Sequence, residues 1–138
     1  MKEELEKRLL NKHINPTAMR VLVLELLENQ QHAISLTEME HRLAPADRTT
    51  IYRTLKTFEE KGLIHSIDDG TGVPKFALCI EDCDAVGHHD LHLHFYCTRC
   101  ESTFCLPNTH IPKLQLPRNY QVQDMQLIVK GLCDRCSD

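Results

Sequence analysis

The 138-residue sequence lacks any apolar run approaching the roughly 18 residues that a membrane-spanning helix needs. Its first eight residues are mostly charged and no apolar stretch follows them, so we do not expect a signal peptide. It also lacks an excess of positive charge, since its net charge is −4. This charge argues against a protein that coats nucleic acid nonspecifically. Internal repeats and low-complexity tracts are absent as well. We therefore expect a cytoplasmic protein with no membrane partner, in a compartment that keeps thiols reduced.

The sequence is instead rich in metal-binding residue types, with seven cysteines and nine histidines. In a reducing compartment an odd number of cysteines favours metal over disulfides. Two C-x-x-C pairs are separated by 32 residues, and each pair can hold one side of a tetrahedral ion. Zinc is redox-inert and accepts sulfur readily, which predicts a structural zinc site at Cys97, Cys100, Cys133 and Cys136. The alternatives are disulfides and a thioredoxin-type redox pair, but the βαβ pattern of the latter is absent.

The first 80 residues predict helices followed by a hairpin, which is the element order of a winged helix. The predicted elements are a helix over 2–12, a helix with Asn15 as N-cap and Pro16 in its first turn, a helix opened by the capping box of Ser35 and Glu38, a helix over 47–61, and strands over 63–67 and 73–78.

The fourth predicted helix has one apolar and one polar face. Ile51, Leu55 and Phe58 recur at helical spacing and are expected in the core. The outer face carries hydroxyls, an aromatic ring and cations near a helix N-terminus, namely Arg48, Thr49, Thr50, Tyr52, Arg53 and Lys56. Such a face can enter a major groove of double-stranded DNA and contact phosphates and base edges. The alternative is an ordinary solvated helix face, and the hairpin directly downstream favours DNA.

Residues after about 80 differ in composition. They hold 5 Lys and Arg against 8 Asp and Glu, whereas residues 1–80 hold 11 against 12, so any DNA contact belongs to the first half. An acidic stretch at 81–90 predicts a hinge. Beyond it we predict strands over 91–96, 102–106 and 121–132, with at most a short helix in the proline-rich segment 107–119. The expected fold is therefore α+β, with a winged helix at 1–80, a hinge at 81–90 and a small zinc-binding α/β domain at 91–138.

A second ligand cluster lies around the predicted hinge. His92 and His94 share one face of a strand, while Cys79 and His65 lie on the two strands of the wing. An exchangeable ion held by these four residues would tie the two halves together, and Cys83 could replace Cys79. Further candidate ligands are His32, His88, His89, Asp90, Cys105 and His110. The alternative is a set of solvated histidines, with Cys105 as a small buried apolar side chain; His13 and His41 are expected at the surface.

With these motifs the sequence resembles the ferric uptake regulator (Fur) family over nearly its whole length. The shared features are Arg20, the run Asp47-Arg48-Thr49-Thr50-Ile51-Tyr52-Arg53-Thr54-Leu55, Gly62, the His-rich strand leading to Cys97-x-x-Cys100, and Gly131-Leu132-Cys133-x-x-Cys136. The resemblance implies a homodimer that represses metal-uptake or stress genes by metal-dependent operator binding. It also implies that Tyr52 and Arg53 lie at the DNA bases, with Arg20 near the backbone.

Two departures from the family pattern bear on the regulatory metal. Iron-sensing members carry a Glu where this chain has Ala77, whereas His65 and Cys79 resemble the hinge ligands of zinc-uptake regulators. Because a thiol is a soft ligand, this set favours zinc over ferrous iron. A second site of the family is not expected in its usual form, because the matching positions are Leu91, Leu93 and Met125.

The sequence thus predicts a homodimeric repressor that contains structural zinc and binds a roughly palindromic operator when a metal occupies the hinge. We expect this regulatory metal to be zinc rather than ferrous iron. Three alternatives remain at this point. The first is an iron-sensing repressor of the same family. The second is a metalloenzyme with an open coordination position, disfavoured because no Glu or Asp stands in a general acid or base motif. The third is a zinc-stabilised adaptor with no role on DNA.

Overall fold

The computed structural model of the protein describes residues 2–78, 93–106, 114–123 and 125–137. These residues form an α+β fold in which helices and a small sheet are followed by a second sheet. The helices are α1 (Lys2–Asn11), α2 (Ala18–Glu28), α3 (Leu36–Arg42) and α4 (Arg48–Glu60), and the strands are β1 (Ile34–Ser35), β2 (Ile64–Ile67), β3 (Lys75–Leu78), β4 (Leu93–Cys97), β5 (Thr103–Leu106) and β6 (Leu127–Gly131). Among the described helices, none combines the length and apolar character needed to traverse a bilayer.

Side-chain caps determine where the helices begin. The Ser35 hydroxyl accepts a hydrogen bond from the Glu38 backbone N–H at 3.2 Å, so α3 begins at the predicted capping box. The predicted start of α2 is wrong, because Thr17 rather than Asn15 is its N-cap. The Thr17 hydroxyl accepts from the Arg20 backbone N–H at 3.2 Å, and this bond leaves Pro16 outside the helix.

The hydrophobic core lies between the four helices and the first sheet. Ile51, Leu55 and Phe58 are fully buried there, as the spacing of α4 predicted. Burying a side chain of this size contributes about 1.5–3 kcal/mol. The core therefore fixes which face of α4 remains outside.

The first sheet is the wing. The predicted hairpin is present as β2 and β3, which pair antiparallel with His65 opposite Ala77. A third strand that the sequence did not predict, β1, pairs with the other edge of β3. Helices, β1 and this hairpin together make a winged helix.

The second sheet has the order β5-β4-β6, in which β5 is antiparallel and β6 parallel to β4. The long strand predicted over 121–132 is wrong in its first half, because β6 begins only at Leu127. Just before it the Gln126 side chain contacts the wing, accepting from the Asp68 backbone N–H at 3.1 Å. Parallel pairing brings the carboxyl ends of β4 and β6 to one edge. The predicted hinge at 81–90 lies outside the described residues.

One face of the second sheet packs against the wing. The Ala33 backbone N–H, next to β1, donates to the Thr103 carbonyl at 2.8 Å. Because side chains alternate along a strand, His94 and Cys105 face the wing side together, opposite each other in the register. This packing places side chains from both parts of the chain in contact.

Candidate metal centres and nucleic-acid interface

The four cysteines of the two C-x-x-C pairs meet at the edge where β4 and β6 end. Their sulfur atoms all lie within 4.8 Å of one another, and Cys100 Sγ is 3.9 Å from Cys133 Sγ. A tetrahedral zinc ion with bonds of about 2.3 Å separates its sulfur ligands by about 3.8 Å. Cys97 and Cys133 are buried and no described cysteine is in a disulfide. The donor set and its spacing therefore fit zinc.

Backbone hydrogen bonds favour the thiolate form of one of these cysteines, Cys97. The backbone N–H groups of Cys100 and Cys133 both donate to Cys97 Sγ at 3.4 Å. These hydrogen bonds, the one from Cys100 first, outweigh the opposing effect of burial and lower the pKa of Cys97 to about 6. The pKa of Cys136 is instead raised to about 12, through its hydrogen bond with the Cys133 thiol, burial and the other thiols nearby. Four thiolates can coexist here only around a cation.

A second cluster joins the wing to the second sheet. His65 Nε2 on β2 lies 3.2 Å from His94 Nε2 on β4 and 3.8 Å from Cys105 Sγ on β5. In a tetrahedral zinc site these separations would be about 3.4 Å between nitrogens and about 3.6 Å between nitrogen and sulfur. Two imidazoles and a thiol at these distances fit a metal ion that takes ligands from both parts of the chain.

This second cluster is largely shielded from water. His94 is 6% exposed, and burial raises the pKa of the Cys105 thiol to about 11. A cation that replaces the thiol proton would remove that penalty. Sequence reasoning named Cys105 only as a further candidate, although the symmetry of a hairpin about the Cys97–Cys100 turn could have placed it opposite His94.

The other predicted ligands do not join these clusters within the described residues. His32 lies outside both: its Nδ1 is 2.9 Å from the Ala33 carbonyl oxygen and its ring meets Phe104 edge-on at 6.4 Å. His13 and His41 are exposed, as expected. The remaining candidates lie outside the described residues, namely Cys79, Cys83, His88, His89, Asp90, His92 and His110.

The outer face of α4 is exposed at every position predicted for DNA, namely Arg48, Thr49, Thr50, Tyr52, Arg53 and Lys56. Its N-terminus is capped by Asp47, whose carboxylate accepts from the Thr50 backbone N–H at 2.7 Å. That hydrogen bond lowers the pKa of Asp47, so the cap stays charged. Lys56 Nζ lies 5.9 Å from the centre of the Tyr52 ring, which is 45% exposed, so a ring and cations stand together on one helix.

Two of the predicted DNA-contacting arginines have partners within the chain. Arg48 Nη1 donates to Glu40 Oε1 and to the Thr37 hydroxyl, each at 3.2 Å, and so lies against α3. Arg20 Nη1 donates to the Asn15 carbonyl at 2.9 Å, at the start of α2. Both interactions are exposed, so either guanidinium can exchange its partner for a phosphate at little cost.

Comparison with known proteins decides the family. The model of the ferric uptake regulator family matches residues 11–130. The chain belongs to the ferric uptake regulator family. A ferric uptake regulation protein of Bordetella parapertussis is 30% identical over 91 residues, 63% of this chain and 60% of that protein. One of Neisseria meningitidis serogroup B is 27% identical over 129 residues, 87% of this chain and 84% of that protein.

The fold agrees with that of solved Fur-type structures. A zinc uptake regulator complexed with zinc and DNA gives a TM-score of 0.67 at 18% identity, covering 97% of this chain and 91% of that one. The likeness confirms the predicted α+β architecture of a winged helix followed by a dimerisation domain. The relatives are named for iron and the structure for zinc, so the metal has to be argued from the ligands.

Proposed function

We propose that this Fur-family chain is a cytoplasmic transcriptional repressor that binds double-stranded operator DNA as a homodimer when a regulatory metal is bound. In this proposal the zinc ion held by the four cysteines is structural. The regulatory site is the cluster formed by His65, His94 and Cys105. The division into a winged helix at 1–80, a hinge at 81–90 and a dimerisation domain at 91–138 is part of the proposal. We assign no catalytic residues.

One observation carries this proposal: a wing residue, His65, shares a ligand cluster with two residues of the second sheet, His94 and Cys105. An ion bound by all three would stabilise the arrangement in which the two parts touch. His92 and Cys79 remain our predicted additional ligands, and one further donor would complete a closed tetrahedral site.

Side chains on the exposed face of α4, outside both metal sites, would contact the operator DNA. Tyr52 and Arg53 on the exposed face of α4 suit base edges, while Arg48 and Lys56 suit phosphates. A two-fold dimer presents two such helices, which matches a palindromic operator. Metal raises DNA affinity only if the metal-bound arrangement binds DNA better, and DNA must then raise metal affinity by the same factor.

Support for the dimer comes from a cavity of about 500 Å³ at the second sheet. Phe95, Phe104, Leu106 and Leu132 line it, together with Gln31 and the polar Asp134 and Arg135. Leu106 and Leu132 are also exposed. Exposed apolar side chains with a polar surround suit contact with a second copy of the chain.

Ligand type supports zinc as the regulatory ion. A thiol and two imidazoles are preferred by zinc, whereas iron sensors use harder oxygen ligands. Ferrous iron is the second candidate, because the relatives from Bordetella and Neisseria carry the name ferric uptake regulation protein.

The test is operator binding by metal-depleted protein, titrated separately with Zn²⁺ and Fe²⁺ under anaerobic buffering. The DNA probe is a duplex enriched from a random-sequence library by the zinc-loaded protein. We expect zinc to raise DNA affinity by more than tenfold and His94→Ala to abolish that rise. His41→Ala is the matched control, because His41 is exposed on α3 outside both clusters. Equal DNA affinity with and without either ion would refute metal regulation.

A further inference from the structure

Asp69 lies in the turn between β2 and β3 and is only 1% exposed. Both oxygens of its buried carboxylate accept hydrogen bonds from other residues. Its Oδ1 accepts from the Thr71 backbone N–H at 3.1 Å and from the Thr71 hydroxyl at 2.6 Å. Its Oδ2 accepts from Lys75 Nζ at 2.5 Å and from the Thr103 hydroxyl at 2.7 Å. A carboxylate offers about four lone-pair positions, so this one is saturated.

The ammonium of Lys75 is enclosed by the same groups. Lys75 Nζ lies 3.3 Å from Thr103 Oγ1 and 5.0 Å from the centre of the Tyr96 ring. Its side chain is 14% exposed and that of Asp69 is 0% exposed. A buried ion pair persists only with good geometry and extra hydrogen bonds, because both charges lose water. The Thr103 hydroxyl supplies such extra hydrogen bonds, because it accepts one from the Lys75 ammonium and donates one to the Asp69 carboxylate.

These residues come from the two different parts of the chain. Asp69 and Lys75 belong to the wing, whereas Thr103 begins β5 and Tyr96 lies on β4. Thr103 is fully buried, so its contacts are made only while the second sheet lies against the wing. Its backbone carbonyl adds the hydrogen bond from Ala33 at 2.8 Å.

The residues of β4 and β5 that contact the ion pair lie on the same face of the sheet as the candidate metal ligands, two positions away. His94 pairs with Cys105, and Tyr96 pairs with Thr103 two positions further along β4. Two positions along a strand correspond to about 6.6 Å on the same face. Whatever fixes the Tyr96–Thr103 rung against the wing therefore also fixes the distance from His65 to His94 and Cys105.

We propose that Asp69, Lys75 and Thr103 form a wing latch that holds the wing against the second sheet without metal and prearranges the regulatory ligands. This inference rests on the proposed function, in which the touching arrangement is the one that binds metal and DNA. When only a fraction of molecules has the binding arrangement, the apparent dissociation constant equals the intrinsic one divided by that fraction. The wing latch thus sets how much metal is needed to switch the protein.

Thr103→Val tests the wing latch, because it keeps the side-chain shape and removes both hydroxyl contacts. The full-length protein, with zinc kept at the four-cysteine site, is titrated with Co²⁺ as the probe of the second site. In parallel, NMR hydrogen exchange of the Ala33 amide is measured without added cobalt. That amide donates across the interface, so its exchange reports separation of the two parts.

We expect the Ala33 exchange rate to rise about tenfold or more, because two hydrogen bonds between the Thr103 hydroxyl and charged groups are lost, and the Co²⁺ dissociation constant to rise by the factor by which the touching fraction falls. The Co²⁺ absorption spectrum should not change, because the ligands remain the same. Thr103→Ser should restore both values. Thr54→Val is the matched control, since the buried Thr54 hydroxyl bonds only within α4, to the Thr50 carbonyl at 3.0 Å.

Lys75→Met is the second variant, because it removes the charge and keeps the stem beside Tyr96. Unchanged Ala33 exchange in both variants would overturn the wing latch. If neither variant folded, the network would belong to folding rather than to the interface, and the inference would also fall. If wild-type protein bound no Co²⁺ at the second site, the proposed function would fail, while Ala33 exchange would still decide on the wing latch.

Discussion

Replacing Cys97 by serine should release the zinc that we propose at the four-cysteine site and separate β6 from β4. Cys97 is fully buried, its sulfur accepts two backbone hydrogen bonds, and its pKa is lowered to about 6, so it is the cysteine best prepared to bind as a thiolate. A serine hydroxyl has nearly the same shape but does not ionise near neutral pH. The change therefore removes a ligand without opening a large cavity.

The size of the effect follows from the loop that the site closes. A cross-link between Cys97 and Cys133 spans 36 residues, and closing a loop of that length contributes about 4 kcal/mol in the chain-entropy account. A whole domain of this size is stable by only about 5–15 kcal/mol. We expect the second sheet to open while the winged helix, which has its own core, stays folded.

The assay measures zinc per protomer by mass spectrometry after dialysis against EDTA, together with amide exchange at Thr98. The Thr98 N–H donates to the Gly131 carbonyl at 2.8 Å and so reports contact between the ends of β4 and β6. Cys105→Ser is the comparison variant, because Cys105 lies in the other cluster. It should keep one tightly held zinc and lose only the exchangeable metal.

One result would refute this reasoning. If Cys97→Ser kept a full equivalent of zinc through the dialysis and left Thr98 protected, the tight ion would not depend on the four-cysteine cluster. The cross-link between the first and last strands of the second sheet would then have another origin.

Three further predictions follow from burial, charge and exposure. Phe58→Ala should lower the free energy of unfolding by about 3–5 kcal/mol in urea titrations, because a fully buried ring is lost from the core. Arg53→Ala should weaken operator binding by about 1–3 kcal/mol in fluorescence anisotropy, with zinc content unchanged. Hydrogen bonds from Lys75, Thr103 and Thr71 together outweigh burial, which alone would raise the pKa of Asp69, and lower it well below its usual range. The stability that Asp69 contributes is therefore fully present above about pH 4 and is lost as the pH falls through its folded pKa.

Matched variants separate these effects from general damage. Leu22→Ala removes a side chain that is 49% exposed and should change stability by less than about 0.5 kcal/mol, so a similar loss in both variants would contradict the core assignment of Phe58. Lys61→Ala, at the far end of α4, should leave operator binding nearly intact; equal losses for Lys61 and Arg53 would argue for bulk charge. Asp69→Asn should flatten the loss of stability below pH 4, and an unchanged acid profile would contradict the role of Asp69.

Local signals predicted the winged helix well. The spacing of Ile51, Leu55 and Phe58 defined the buried face of α4, and the Ser35 cap defined the start of α3, because both depend on residues within a few positions of each other. Strand β1 escaped prediction for the opposite reason. Its two residues have no period of their own and are extended only because β3 pairs with them.

Most contacts between segments that are distant in the sequence could not be predicted from local sequence patterns. The sequence named His65 and His94 as ligands of one ion, but the Asp69–Lys75–Thr103 network has no local pattern and arises from packing of the second sheet on the wing. Gln126 shows the same effect: its side chain crosses to Asp68, and the strand predicted from position 121 begins only after it.

The wing turn has a consequence for how much DNA each protomer can cover. The Asp68 backbone N–H donates to the Gln126 side chain, and the Asp69 carboxylate accepts from the Thr103 hydroxyl. The Lys130 ammonium lies beside Gly70, where an added Cβ would approach it to 2.8 Å. The residues that stay exposed in the turn, Asp68 and Gly70 to Pro74, include no cation, so the tip is poorly suited to enter a neighbouring minor groove. Base reading would then fall to α4 alone, so each half-site should be short, and discrimination between operators would depend on the spacing of two brief motifs.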